Sequence, residues 1–189
     1  HGREAGILHI ADHHVSPGKK QWTWGSGDFG KAWDRNLTDQ NGPYIELMTG
    51  MFTDNQPDFT WLKPFEEKTF TQYFMPYKKA ANVKNASTEV VLNLEAEKGT
   101  ARVLVYATSV FEKARIVLGD GRKTYLDIKT RISPVDIADE SVPVDEGSET
   151  SLTLSVYDSK GRHLLSYSAK PGEIEEIPSP VLPAEDPEN

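Results

Sequence analysis

Six short segments between Glu89 and Ala169 carry the pattern that most restricts the fold of this chain. EVVLNLEA (89–96), ARVLVYA (101–107), ARIVL (114–118), KTYLDIK (123–129), SLTLSVY (151–157) and HLLSYSA (163–169) are rich in β-formers, mostly alternate apolar with polar positions, and are separated by turn residues. A period of two puts every second side chain on one face of a strand, so each segment can bury one face and wet the other. Asp120-Gly121 predicts a two-residue hairpin turn with positive φ at both positions, and Asp158-Ser-Lys-Gly161 joins the last two segments in the same way. So many strands without a helical period predict an immunoglobulin-like β-sandwich over residues 83–178. Apolar positions such as Leu152, Leu154 and Val156 then belong to a core and not to a site.

Residues 1–82 are also β in character, with strands expected at 6–11, 21–25, 44–52 and 68–76. The overall expectation is all-β. Aromatic residues thin out across Lys78–Ser87 (KKAANVKNAS), which sets the boundary between the two regions. GSGDFG (25–30) has three glycines but is followed by KAWDRNLTDQNGP, which allows one helical turn at most, so no nucleotide-binding βαβ unit is expected. The tail beyond Pro171, EIEEIPSPVLPAEDPEN, is rich in Pro and Glu; residues 179–189 read as a linker towards a further domain.

Composition narrows the chemistry. There is no cysteine, which removes disulfides, thiolate metal sites and cysteine nucleophiles. Net charge is zero over residues 1–85 and −8 over residues 86–189, so nucleic acid, which needs clustered Lys and Arg, is not an expected partner. No run of about 18 apolar residues is present and no membrane association is expected; the compartment, cytoplasmic or periplasmic, is left open.

All four Trp and thirteen of the eighteen aromatic residues fall within the first 85 positions, interleaved with Asp, Asn, Glu and His. Sugar rings have C–H faces that stack on aromatics and hydroxyls that need charged or amide partners, so this mixture suits a carbohydrate site as well as it suits a Trp-rich core. Glu46 lies in PYIELMTGM, a run made for burial, where a carboxylate must be paired or act as a candidate general base. Asp34-Arg35-Asn36 and Asp39-Gln40-Asn41-Gly42 read as polar turns closed by their own Asx side chains. His9, His13 and His14 lie close together with Asp12, but neighbouring histidines on a strand point to opposite faces, so no metal site is expected there. A surface cluster, or one imidazole hydrogen-bonded to substrate, is the expectation.

The segments PGKKQWTWG, AWDRNLTDQNGPYIEL and NQPDFTWLKPFEEKTFTQYFMPY resemble an uncharacterised bacterial branch of the galactose-mutarotase-like, or aldose 1-epimerase, supersandwich family. In that branch a small β-domain and then tetratricopeptide repeats follow the sandwich. The resemblance implies that residues 1–82 are the C-terminal part of a supersandwich, with strand edges exposed to self-association. It also implies that Glu46, followed by Asn55-Gln56-Pro57-Asp58, takes the proton from an anomeric hydroxyl while a histidine protonates the ring oxygen, a reaction that needs no cofactor. The family's Asn-His-Ser/Thr and Asp-His-Asn motifs are not found in the chain, and Asp12-His13-His14 is the nearest feature, making His13 the candidate acid. Trp22, Trp24, Trp61, Asp34, Arg35 and Asp58 are the expected sugar contacts. Two functions follow: a carbohydrate-binding or carbohydrate-processing region of a larger protein, itself inactive when isolated, or a non-catalytic scaffold joining a sandwich to protein-binding repeats.

Overall fold

The computed structural model describes residues 4–52 and 60–172, and Asp58 lies outside them. The fold is all-β. Two compact units divide the chain, one formed by His1–Ile10 with Tyr73–Glu175, the other by Ala11–Gln72 with Glu176–Asn189. Among the described residues no helix is long and apolar enough to cross a membrane.

The first unit is built on two four-stranded antiparallel sheets. One has the order β10 (Ala138–Pro143), β7 (Thr100–Ala107), β6 (Val90–Glu97), β5 (Asn85–Ala86). The other runs β12 (His163–Ser168), β11 (Thr153–Tyr157), β8 (Phe111–Gly119), β9 (Thr124–Ile132). Hairpins stay within a sheet, whereas β7–β8, β9–β10 and β10–β11 change sheets, giving the connectivity of an immunoglobulin-like sandwich. Alternation explains the core. Val90, Leu92 and Leu94 of β6 and Val103 and Val105 of β7 face Ile116 and Leu118 of β8 and Leu154 and Val156 of β11, all nearly or fully buried in one cluster. Each such side chain contributes about 1.5–3 kcal/mol of transfer free energy, which is the main force closing the two sheets.

The remaining face of the first sheet is also covered. Val91 and Tyr106 pack with Met75, Ala80, Leu8 and Ile10 from a two-stranded ribbon of β1 (Ala5–Ala11) and β4 (Gln72–Lys78) and its flanks. Asn93, on the same central strand, is 1 % exposed. Its Nδ2 donates to Glu95, while its Oδ1 has no partner among the described residues. At the sandwich edge Asn85 Nδ2 donates to the Ser166 carbonyl at 2.7 Å, tying the short β5 to β12 of the opposite sheet.

Two hairpins correct the sequence reading. The turn with both central residues at positive φ is Lys98-Gly99 (52° and 73°), between β6 and β7. At Asp120-Gly121 only Gly121 is left-handed, and the loop spans four residues. Asp120 Oδ1 there accepts the Arg122 and Lys123 amides at 2.8 Å, and the Asp120 amide donates to the Lys123 carbonyl. The aspartate satisfies the loop with its side chain, so it need not adopt the strained backbone itself. Strand β10 escaped the sequence reading because ADESVP buries little; it ends at Pro143 on a sheet edge, where a missing amide costs no ladder bond.

In the second unit β2 (Lys20–Thr23) pairs antiparallel with β3 (Ile45–Met48), and helix α1 (Asp28–Leu37) connects them. The helix is a correction: ten residues stand where one turn was expected. Phe29, Trp33 and Leu37 keep a four-residue spacing, a helical signal masked by the turn-forming residues around it. Gly25 (φ 79°) turns the chain out of β2, Asp28 and Arg35 complement the helix dipole at its two ends, and the single Thr38 hydroxyl proton has the carbonyls of Asp34 and Gly42 within reach as acceptors. Gly30 is needed for packing, since a Cβ there would lie 2.3 Å from the carbonyl oxygens of Trp24 and Gly25. Although strand, glycine loop and helix follow one another, β3 returns antiparallel to β2, so the parallel βαβ unit of dinucleotide sites is not formed.

The described residues 11–72 have no large apolar side chain fully buried; their buried residues are Ser16, Gly18 and Gly30. A polar hub holds this part together. Ser16 Oγ donates to the Gly50 carbonyl, Gln72 Nε2 donates to Ser16 Oγ and Thr49 Oγ1, and the Gly18 amide also reaches Gly50.

Candidate functional site

Register decides which candidate residues meet. In the β2–β3 ladder Trp22 stands directly opposite Glu46, and Lys20 opposite Met48. Directly opposed residues in an antiparallel pair project from the same face, and Trp24 and Tyr44 stand at the next positions beyond the paired ends of the two strands. The indole of Trp24 and the ring of Tyr44 meet edge-on with centroids 5.5 Å apart. One face of the ribbon therefore carries Trp22 and Glu46, and the Trp24–Tyr44 ring pair closes the end of the ladder next to them.

The surroundings of Glu46 differ from the sequence expectation. Its strand is not buried, with Ile45 50 % and Leu47 57 % exposed, and Glu46 itself is half-buried. The apolar run reads as core, but a two-stranded ribbon needs a second layer to cover it, and none is supplied among the described residues of this unit. Glu46 forms no ion pair with a described residue. It is left as a carboxylate beside an indole.

Asp34 and Arg35 belong to α1 and not to a polar turn. Asp34 Oδ1 accepts the Tyr44 amide at 3.0 Å, which fixes the start of β3 and hence the position of the Tyr44 ring. Arg35 is exposed in the last helical turn. Trp61 is 69 % exposed on an irregular segment and is not part of the ribbon ladder. Tyr44 was not expected at the site; it stands just before β3, and only the folded chain brings its ring against Trp24.

His13 and His14 lie in a turn, with ring centroids 3.8 Å apart. One ligand atom from each of Asp12, His13 and His14 falls within 4.8 Å of the others, and all three residues are exposed. In the first unit a cleft of about 940 Å³ is bordered by Glu4, Leu8, Tyr77, Lys79, Arg102 and Asp139 and holds none of the candidate residues. Arg102 and Asp139 satisfy each other there through two hydrogen bonds of 2.9 and 2.7 Å.

Comparison with known families divides the chain near Asn85. Residues 85–167 match the second domain of YphG-like proteins. Residues 1–85 match a domain of unknown function, DUF5107. The YphG-like match takes in strands β5 to β11 and nearly all of β12, so the similarity spans the sandwich; the DUF5107 match takes in β1 to β4, α1 and the aromatic ribbon. No solved structure matches the chain.

Proposed function

We propose that the β2–β3 ribbon binds carbohydrate, Trp22 and Trp24 offering stacking surfaces and Glu46 accepting sugar hydroxyls. The observation that carries this reading is the register that sets Glu46 opposite Trp22, with the Trp24–Tyr44 ring pair at the adjoining end of the ladder. A pyranose presents a C–H face and a rim of hydroxyls at once, and an aromatic plane beside a carboxylate with no ion-pair partner among the described residues answers both. Resemblance of the surrounding segments to galactose-mutarotase-like proteins supports the same class of ligand. In a sugar-processing version Glu46 serves as the base at an anomeric hydroxyl, which needs the carboxylate within hydrogen-bond reach of that proton.

The test is calorimetric titration of the chain with a panel of aldohexoses and oligosaccharides, repeated with Trp22→Ala. Binding that weakens in the variant supports the proposal. A panel without binding overturns it and leaves the non-catalytic scaffold, for which the ribbon is a surface and not a site.

A further inference from the structure

We propose that Asp12, His13 and His14 form a surface site for one transition-metal ion of the Zn²⁺ or Cu²⁺ kind. Two neighbouring imidazoles on an extended strand would diverge to opposite faces. Here the chain turns: the amides of Val15 and Ser16 both donate to the Asp12 carbonyl, at 3.1 and 2.8 Å, and the His14 amide donates to Asp12 Oδ1 at 2.9 Å. That turn brings the two imidazole centroids to 3.8 Å with a 41° tilt and gathers three donor atoms within 4.8 Å. Asp12 keeps Oδ2 for an ion while Oδ1 holds the turn. The turn does not depend on the ion for its shape, because Ser16, next along, is anchored to the Gly50 carbonyl.

Chemistry selects the ion. Two imidazole nitrogens and one carboxylate oxygen suit Zn²⁺, Cu²⁺ or Ni²⁺, whereas Ca²⁺ and Mg²⁺ take shells of oxygen. All three side chains are exposed, so an ion reaches them directly, and three protein donors leave further coordination positions to water. An imidazole nitrogen bound to a metal has no proton to give, so this assignment makes His13 a ligand and removes it as the catalytic acid. The assignment stands apart from the carbohydrate reading, which rests on the ribbon.

The experiment is Zn²⁺ titration by calorimetry on the whole chain carrying His1→Ala, which removes a histidine outside the described residues. One equivalent per chain is expected. His13→Ala or His14→Ala should weaken it by more than the roughly 10–100-fold that loss of an outer-shell partner costs, while His163→Ala leaves it unchanged. Asp12→Asn should weaken it too, because asparagine keeps an acceptor for the His14 amide and removes only the charge. With Cu²⁺, electron paramagnetic resonance should show coupling to two imidazole nitrogens, falling to one in either single histidine variant. Absence of Zn²⁺ binding, or binding unchanged in the His13→Ala/His14→Ala double variant, would overturn the assignment.

Discussion

Glu46 and Trp22 are direct cross-strand partners, held opposite each other by the β2–β3 ladder. Short strands in register fix both side chains to one face, so the pairing follows from the backbone and does not depend on a contact between the two groups. The two residues can therefore be separated by mutation. Trp22→Ala should cost sugar affinity on the order of 1 kcal/mol, roughly fivefold, the worth of an aromatic contact beyond its area. Glu46→Gln keeps shape and hydrogen-bonding capacity, so affinity should change little while any interconversion of anomers, followed by magnetization-exchange NMR, is lost. Anomer exchange that persists in Glu46→Gln would remove the glutamate from the chemistry.

Gly30 is the pivot of the helix that orders Tyr44. Its absent Cβ leaves room for the carbonyls of Trp24 and Gly25, and Asp34 four residues later holds the Tyr44 amide. Gly30→Ala should cost about 1–3 kcal/mol, as overpacking does, and show as faster amide exchange across Asp28–Leu37 and Ile45–Met48 with the sandwich strands unchanged. Equal protection in variant and parent would mean that the loop relaxes around the methyl group.

Lys98 occupies a left-handed position at the tip of the β6–β7 hairpin, with Gly99 beside it. Lys98→Asn creates the Asn-Gly pair favoured in such turns and should raise the stability of the sandwich by about 0.5–1 kcal/mol in urea unfolding. A lowered midpoint would show that the lysine side chain contributes more than its backbone costs.

Acid should weaken the sandwich. Hydrogen bonds from Arg162 hold Glu89 below the ordinary 4.5, and those from Arg115 and Arg102 hold Asp127 and Asp139 below 3.8. A carboxyl whose native value is depressed binds protons more readily when unfolded. Its stabilisation is present above the ordinary value and is lost as pH falls through the native one. Urea midpoints should hold from pH 7 to about 5 and drop below about pH 4, with a smaller drop in high salt because these pairs are at the surface. A midpoint that rises on acidification would contradict this assignment.

The alternating segments from Glu89 onward were sufficient to specify a sandwich, because a period of two leaves no other way to bury Leu92, Ile116 and Leu154 together. Local chemistry was less legible where two signals compete in the same residues. Phe29, Trp33 and Leu37 spell a helix, while Asp34, Asn36 and Asn41 spell turns. The helix forms with Asp34 turned to a backbone amide ten residues away, a partner that only the folded chain brings near. His13 and His14 diverge or converge depending on whether Asp12 closes a turn, which three hydrogen bonds decide.

By itself, then, the sequence determined the strand character of the chain, its aromatic-rich first half and the residue types available for binding, since these depend on composition and on neighbours along the chain. Tertiary structure alone decided that Glu46 stands opposite Trp22, that Trp61 is no part of that ladder, and that the PYIELMTGM run stays half-exposed. Register and coverage by a second layer are relations between distant segments, and no local pattern encodes them.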